Sequence, residues 1–227
     1  MHLTLQLMYI TLKKRMKKMN RKLAFMDIIF YMVIPYFIWN YGQSYLGDYF
    51  AMLLSTVPGF FYTIFRFWKE KQFNIGGLFI IGTLFIGTTV NLLSGSAESM
   101  IWNGIYLGLF YVFIHAVALL LQRPLALYFA VDFVYLQGQP RKQSTELFYK
   151  KGIFGRFQLI QFVFIIRGLS MAGLNIWLLK KYGVDGYGNM IIYRQVAGWT
   201  FSLLIMGLFF YTSVPINNYL KKQGYST

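Results

Sequence analysis

Two side chains able to do polar chemistry fall where a membrane helix ordinarily carries none. Arg167 lies ten residues into Phe157 to Leu179, FQLIQFVFIIRGLSMAGLNIWLL. At ~1.5 Å per residue that is roughly 15 Å deep, close to a bilayer midplane. An arginine at the centre costs from about 2.5 kcal/mol on insertion scales to above 10 in simulations, so it must face protein, water or a ligand. His115 lies about 14 residues into Ile101 to Leu121, somewhat inside the midplane. A guanidinium attracts anions, and an imidazole carries protons. Gln158 and Gln161 occupy the turns below Arg167, Asn175 lies two turns above it, and Asn103 sits near the outer end of the His115 helix. Arg167, His115, Asn103 and Asn175 therefore form the candidate ligand or anion site.

Each of these residues also has a plainer reading. A helix beginning near Phe162 would leave Arg167 about five residues deep, able to reach the inner surface along its aliphatic stem. The polar stripe of Gln158, Gln161 and Asn175 favours an arginine turned into the bundle instead. A lone histidine inside a helix is more often a hydrogen-bonded neutral residue than a proton relay, which needs an acid at matched depth.

Catalysis finds little support. The chain has no cysteine and two histidines, which leaves no thiolate chemistry and no imidazole cluster for a metal. Ser94, Ser96 and Ser99 belong to an outer turn, well away from His115. The seven acids, Asp27, Asp48, Glu70, Glu98, Asp132, Glu146 and Asp185, all fall near an interface or in loops, so none matches Arg167 in depth. Intramembrane hydrolysis needs a nucleophile with its base, paired acids or a metal at one level. The expectation is a non-enzymatic chain with no catalytic residue, metal or cofactor.

The elements that position these residues are membrane spans. Of 227 residues, 57% are hydrophobic, 20% aromatic and 13% charged, more apolar surface than a soluble domain can hide. The reading is an all-α, polytopic membrane bundle of about six helices occupying 23–215, after a basic interfacial segment over 1–22 and before a polar tail over 216–227. The spans are Leu23 to Asn40, Tyr49 to Phe67, Asn74 to Leu93, Ile101 to Leu121, Phe157 to Leu179 and Met190 to Pro215. Pro35 and Pro58 are candidate kinks. Asp27 is expected at the inner interface, satisfied by Lys22, Arg21 or headgroup water, or, in a deeper register, as an acid facing the bundle. Gly76, Gly77, Gly82 and Gly87, and the pair Gly104 and Gly108, are expected to pack against neighbouring helices. The connection over 125–155 reads as two surface helices around a turn at Gln137 to Lys142, the second opened by Ser144 as N-cap. It is either a protein docking surface, with Arg141 and Lys142 as candidate contacts, or a brace for the fifth helix.

Eighteen of the twenty-two basic residues fall on one side, in the N-terminal segment, around Arg66 to Lys71, in Arg123 to Arg156 and in the tail. Lys180, Lys181 and Arg194 are assigned to the other side and Arg167 lies within. This asymmetry places both termini in the cytoplasm. The net charge of +15 is thus an orientation feature that implies an anionic inner leaflet as partner, and not nucleic acid, because the charges are split among apolar spans.

Ser55-Thr56-Val57-Pro58 with Tyr62 and Arg66, then Gly95, Glu98-Ser99 and Asn103-Gly104, then Gln122-Arg123-Pro124-Leu125, form a pattern over about Asp27 to Tyr128. It resembles a bacterial family of small inner-membrane proteins related to intracellular septation protein A. The resemblance implies about six helices in the bacterial cytoplasmic membrane and a part in cell-envelope upkeep or division. The basic N-terminal segment and the Gly/Tyr turn from Tyr182 to Asn189 depart from the family pattern. Two functions follow as expectations. One is a scaffold or accessory subunit that recruits a membrane or cytoplasmic protein. The other is a small transporter or lipid-binding protein with an anion site at Arg167; three spans in one orientation followed by three in the other would suit an inverted repeat, but the halves share no convincing sequence similarity, which weakens it.

Overall fold

The computed structural model describes residues 21–69, 75–135 and 140–222. The expectations for 1–20, for Glu70 and Lys71, for the turn residues Gln137 to Gln139 and for the end of the tail lie outside them. Among the described residues the fold is helical throughout. Helix α1 (Arg21–Ile28) runs through a π-helical turn (Ile29–Val33) into α2 (Ile34–Lys69), followed by α3 (Ile75–Leu93), α4 (Ala97–Leu120), α5 (Leu125–Tyr135), α6 (Arg141–Phe148), α7 (Phe154–Tyr182) and α8 (Tyr187–Lys222). Five helices are long and apolar enough to cross a membrane, and one of them, Phe25–Lys69, holds 45 residues. That length is about twice what one crossing needs.

The chain solves this by folding at Gly47, whose φ of 73° and ψ of 165° leave the helical region. Only glycine adopts such a conformation without a Cβ penalty. The two arms, 21–46 and 48–69, then lie antiparallel: Tyr31 Oη and Thr63 Oγ1 are 2.8 Å apart, and Phe30 stacks on Tyr62 at 4.7 Å. The polypeptide therefore supplies six crossings. Asp27 is tied to the second arm, as the bundle-facing register requires. Its Oδ1 accepts from Tyr62 Oη at 2.8 Å and pairs with Arg66 Nη1 at 3.0 Å, both on the second arm. The acid clasps the open end of the hairpin.

Each in-helix proline finds its own accommodation. Pro35 cannot donate to the carbonyl four residues back and its ring crowds that carbonyl. The helix widens just before it, so that Ile34 N–H reaches Ile29 O across a π-helical turn. Pro58 stays inside α2, and Tyr31 packs over the following Gly59, with Tyr31 Cδ1 3.0 Å from where a Cβ would stand. The sixth span does not stop at Pro215 as expected, for α8 continues to Lys222. A proline there removes the donor for Tyr211 O. Arg156 of α7 supplies the replacement: its Nη1 donates to that carbonyl while the guanidinium lies 3.8 Å above the Tyr211 ring.

Helix α4 packs most extensively on α7, and α7 next on α8. One apolar core near the outer ends gathers Trp39, Met52, Ile101, Leu178, Tyr187 and Met190, and Gln43 there donates to both Asp48 and Asp185. A second core near the inner ends joins Leu127, Phe148, Phe157, Ile160, Val163 and Ile205. Outward, the spans present Leu78, Phe85, Phe113, Phe162, Leu203 and Phe210. The glycine expectation is corrected in part. A Cβ on Gly82, Gly104 or Gly108 would meet nothing within 4 Å, so these three are not seated against the described helices, whereas one on Gly87 would meet Leu107 of α4 at 3.9 Å, and Gly77 is buried.

The inner connection is folded onto the bundle, as the bracing alternative requires. Asp132 of α5 is 2% exposed, accepts from Gly76 N–H at the start of α3, and pairs with Arg141 at 3.1 Å. A carboxylate at a helix start satisfies free N–H groups and meets the positive end of the macrodipole. Ser144 is not the N-cap of α6: Pro140 holds that place, and the Ser144 hydroxyl donates back to Pro140 O at 3.2 Å from inside the helix. Tyr128 and Tyr149 share a hydrogen bond of 3.1 Å, and burial with that bond pushes Tyr149 up to about 12.

The Pro215 and Arg156 pair makes a direct prediction. Arg156→Gln should destabilise the bundle by about 1–2 kcal/mol, the range of a strong interhelical hydrogen bond in a membrane. In a Pro215→Ala background, where the introduced backbone N–H can satisfy Tyr211 O itself, the same substitution should cost much less. Unfolding in mixed micelles by denaturant measures both.

Candidate functional site

The site is built where α7 crosses the bundle between α4 and α8. Its inner part centres on Gln161, which is fully buried. Gln161 Nε2 donates to His115 O at 2.9 Å and lies 2.9 Å from His115 Nδ1, while its Oε1 accepts from Ala126 N–H at 3.3 Å. One side chain thus ties α7 to α4 and caps the start of α5. The His115 ring stacks on Phe164 at 5.2 Å with an interplanar angle of 4°. Nδ1 is engaged by an amide donor, which leaves the ring proton on Nε2. With an amide in place of a carboxylate at its level, His115 has the surroundings of a satisfied structural histidine.

Gly168 sets the separation of α4 and α7 about two turns further out along α7. A Cβ there would overlap Val112 Cγ2. Arg167 is the residue beside it, six positions outward from Gln161 and so roughly 9 Å along the axis. Its Nε is buried with no hydrogen-bond partner, and no described residue forms an ion pair or hydrogen bond with its guanidinium. The described acids are engaged at the two faces: Asp27 on Arg66, Asp132 on Arg141 and Gly76, Asp48 and Asp185 on Gln43. Glu98 lies in the first turn of α4, capped by Ser96, and Glu146 is exposed on α6. No described carboxylate reaches the depth of Arg167.

The remaining candidates separate. Asn103 Nδ2 donates to Ser94 Oγ at 3.0 Å near the outer end of α4. Asn175, eight residues and roughly 12 Å outward from Arg167, has a buried Oδ1 without a partner. The contacts of His115 with Gln161 and of Val112 with Gly168 put Asn103 level with Asn175, and His115 on the inner side of Arg167. The structure therefore brings His115 to Gln161 and leaves Arg167 between two levels of polar groups. Tyr111 Oη, on α4 and level with Arg167 by the same register, is a third buried atom without a partner. Of the two docking candidates, Arg141 is engaged by Asp132 and lies 4.3 Å above the Tyr135 ring, and Lys142 is exposed.

Sequence reasoning passed over Arg156, Asp132 and Tyr111. Arg156 had a readable signal, a proline four residues after Tyr211 on the partner helix. Asp132 and Tyr111 depend on which helices meet, which periodicity leaves open. Among the described residues no group of three or more histidine or carboxylate side chains could hold a metal ion. No family model, curated protein or solved structure matches the chain.

Gly168→Ala should weaken the α4–α7 seam by about 1–3 kcal/mol, the cost of overpacking, because the stiff Val112 side chain cannot simply swing aside. Val112→Ala in the same chain should restore most of the loss. Thermal unfolding of the single and double variants in detergent provides the comparison.

Proposed function

We propose that this chain is a non-enzymatic, multi-pass membrane protein that holds an anionic group at Arg167 inside its helix bundle. A single observation carries the reading: the described part of the chain builds a membrane bundle and places in it a guanidinium with a buried, partnerless Nε and no counter-charge of its own. An unpaired charge in low dielectric is strongly destabilising, so a bound anion is the simplest completion. His115 and Gln161 form the floor of the site, and the outward level of Asn175 offers an acceptor that can order a ligand's donors or water. The resemblance to the septation protein A group supports a place in the bacterial cytoplasmic membrane and a part in envelope upkeep.

A second reading, an accessory subunit that binds a membrane partner, draws on the unpacked Gly104 and Gly108 face of α4. Small residues let a partner helix approach closely.

Arg167→Gln tests the first reading. The protein, gently extracted from its own membrane, should carry an anionic small molecule or lipid visible by native mass spectrometry, and the variant should lose it at nearly unchanged folded yield. Wild type that retains no anionic mass contradicts the reading, and a variant that fails to fold makes Arg167 structural. Stoichiometric protein partners retained by both forms would favour the accessory subunit.

A further inference from the structure

Arg194 carries the inference, which rests on the Arg167 reading. Helices α7 and α8 face each other in a fixed register. On α7, Arg156, Ile160 and Val163 form a stripe at spacings of four and three, and each meets α8: Arg156 at Tyr211, the other two in a cluster with Ile205. Arg167 is the next position of that same stripe. Eleven residues outward from Arg156 is Arg167, and eleven back from Tyr211 is Thr200, so Arg167 is level with Thr200. Arg194 lies six residues beyond Thr200, roughly 9 Å further out.

On α8 the inward stripe is marked by Tyr187, Met190, Ile191, Ile205 and Thr212, all buried. Arg194 falls in the middle of this stripe and is nevertheless exposed. A packed seam would have covered it. Gly198 shows why it does not: it lies on that stripe one turn inward of Arg194, and a Cβ there would meet nothing within 4 Å. The α7–α8 seam thus opens at Gly198, between the two arginines and inward of the outer apolar core that holds Leu178, Tyr187 and Met190. Arg194 forms no ion pair or hydrogen bond with any described residue. Two uncompensated guanidiniums on facing stripes of adjacent helices repel each other until something negative lies between them.

We propose that Arg167 and Arg194 together clamp one phosphate group, entering through the α7–α8 seam from the outer half of the membrane. Phosphate suits the pair better than carboxylate, since it offers further unesterified oxygens spread around a tetrahedral centre to forks arriving from two helices, whereas a carboxylate presents two coplanar oxygens. The chemistry is shared by a phospholipid headgroup and free inorganic phosphate.

The test uses the full chain in phosphate-free maltoside micelles, titrated with phosphatidylglycerol, with bound lipid counted by native mass spectrometry. Wild type, Arg167→Gln, Arg194→Gln, the double variant and Arg194→Lys are compared, with thermal unfolding as the folding control. Each single glutamine variant should weaken retention about tenfold, one charge-assisted contact's worth. The double variant should lose less than the product of the two, because one ligand is shared. Arg194→Lys should keep most of the affinity by keeping the charge, and it serves as the reporter if Arg194→Gln unfolds. Displacement of the lipid by millimolar inorganic phosphate assigns a site open to soluble phosphate, and resistance to displacement assigns the headgroup. Wild-type affinity in Arg194→Gln overturns the clamp and leaves the Arg167 reading standing. Losses that simply multiply in the double variant overturn the shared phosphate, and retention that neither substitution changes overturns both readings.

Discussion

In hydrocarbon there is no water to complete a polar group, so every donor and acceptor that sequence frees must be met by another part of the chain. Much of this bundle's tertiary structure follows from that requirement. Pro35 forces a π-helical turn, and Pro215 frees a carbonyl that Arg156 answers from the next helix. Gln161 closes three gaps at once, on His115 and on Ala126. Asp132 finishes the start of α3 from a surface helix, and Asp27 closes the first hairpin on Arg66 and Tyr62. Against this background Arg167 Nε, Tyr111 Oη and Asn175 Oδ1 are the departures, buried without a partner among the described residues.

The inner connection takes its meaning from the same requirement. Its buried Ala126, Leu127, Val131 and Phe148 join the cores of α7 and α8, and its charges Asp132 and Arg141 face each other. It braces the inner end of the helix that carries Arg167, as the apolar core of Leu178, Tyr187 and Met190 fastens its outer end.

The spans were legible in the sequence because apolar length is a local, additive signal. Helix ends were less so: α7 and α8 extend past the apolar stretch, since backbone hydrogen bonding continues into the interface. Asp27 has a partner in Arg66, thirty-nine residues away across the turn between the first two spans, a pairing that depends on how the two arms meet and not on local composition. The glycines misled for a related reason. Spacing shows that a face can pack closely but not whether this chain supplies the helix. Arg167 stood out by depth alone, while Arg194, assigned to the outer side, gained its place only from the register of α7 on α8.

The most direct measurement is the melting temperature of Arg167→Leu beside wild type, both stripped of lipid and anions in a nonionic detergent. A guanidinium that the chain does not compensate should destabilise the empty protein, so leucine should raise the melting temperature or leave it unchanged. A clear fall would mean that Arg167 is satisfied by the fold itself and that the bundle needs no anion.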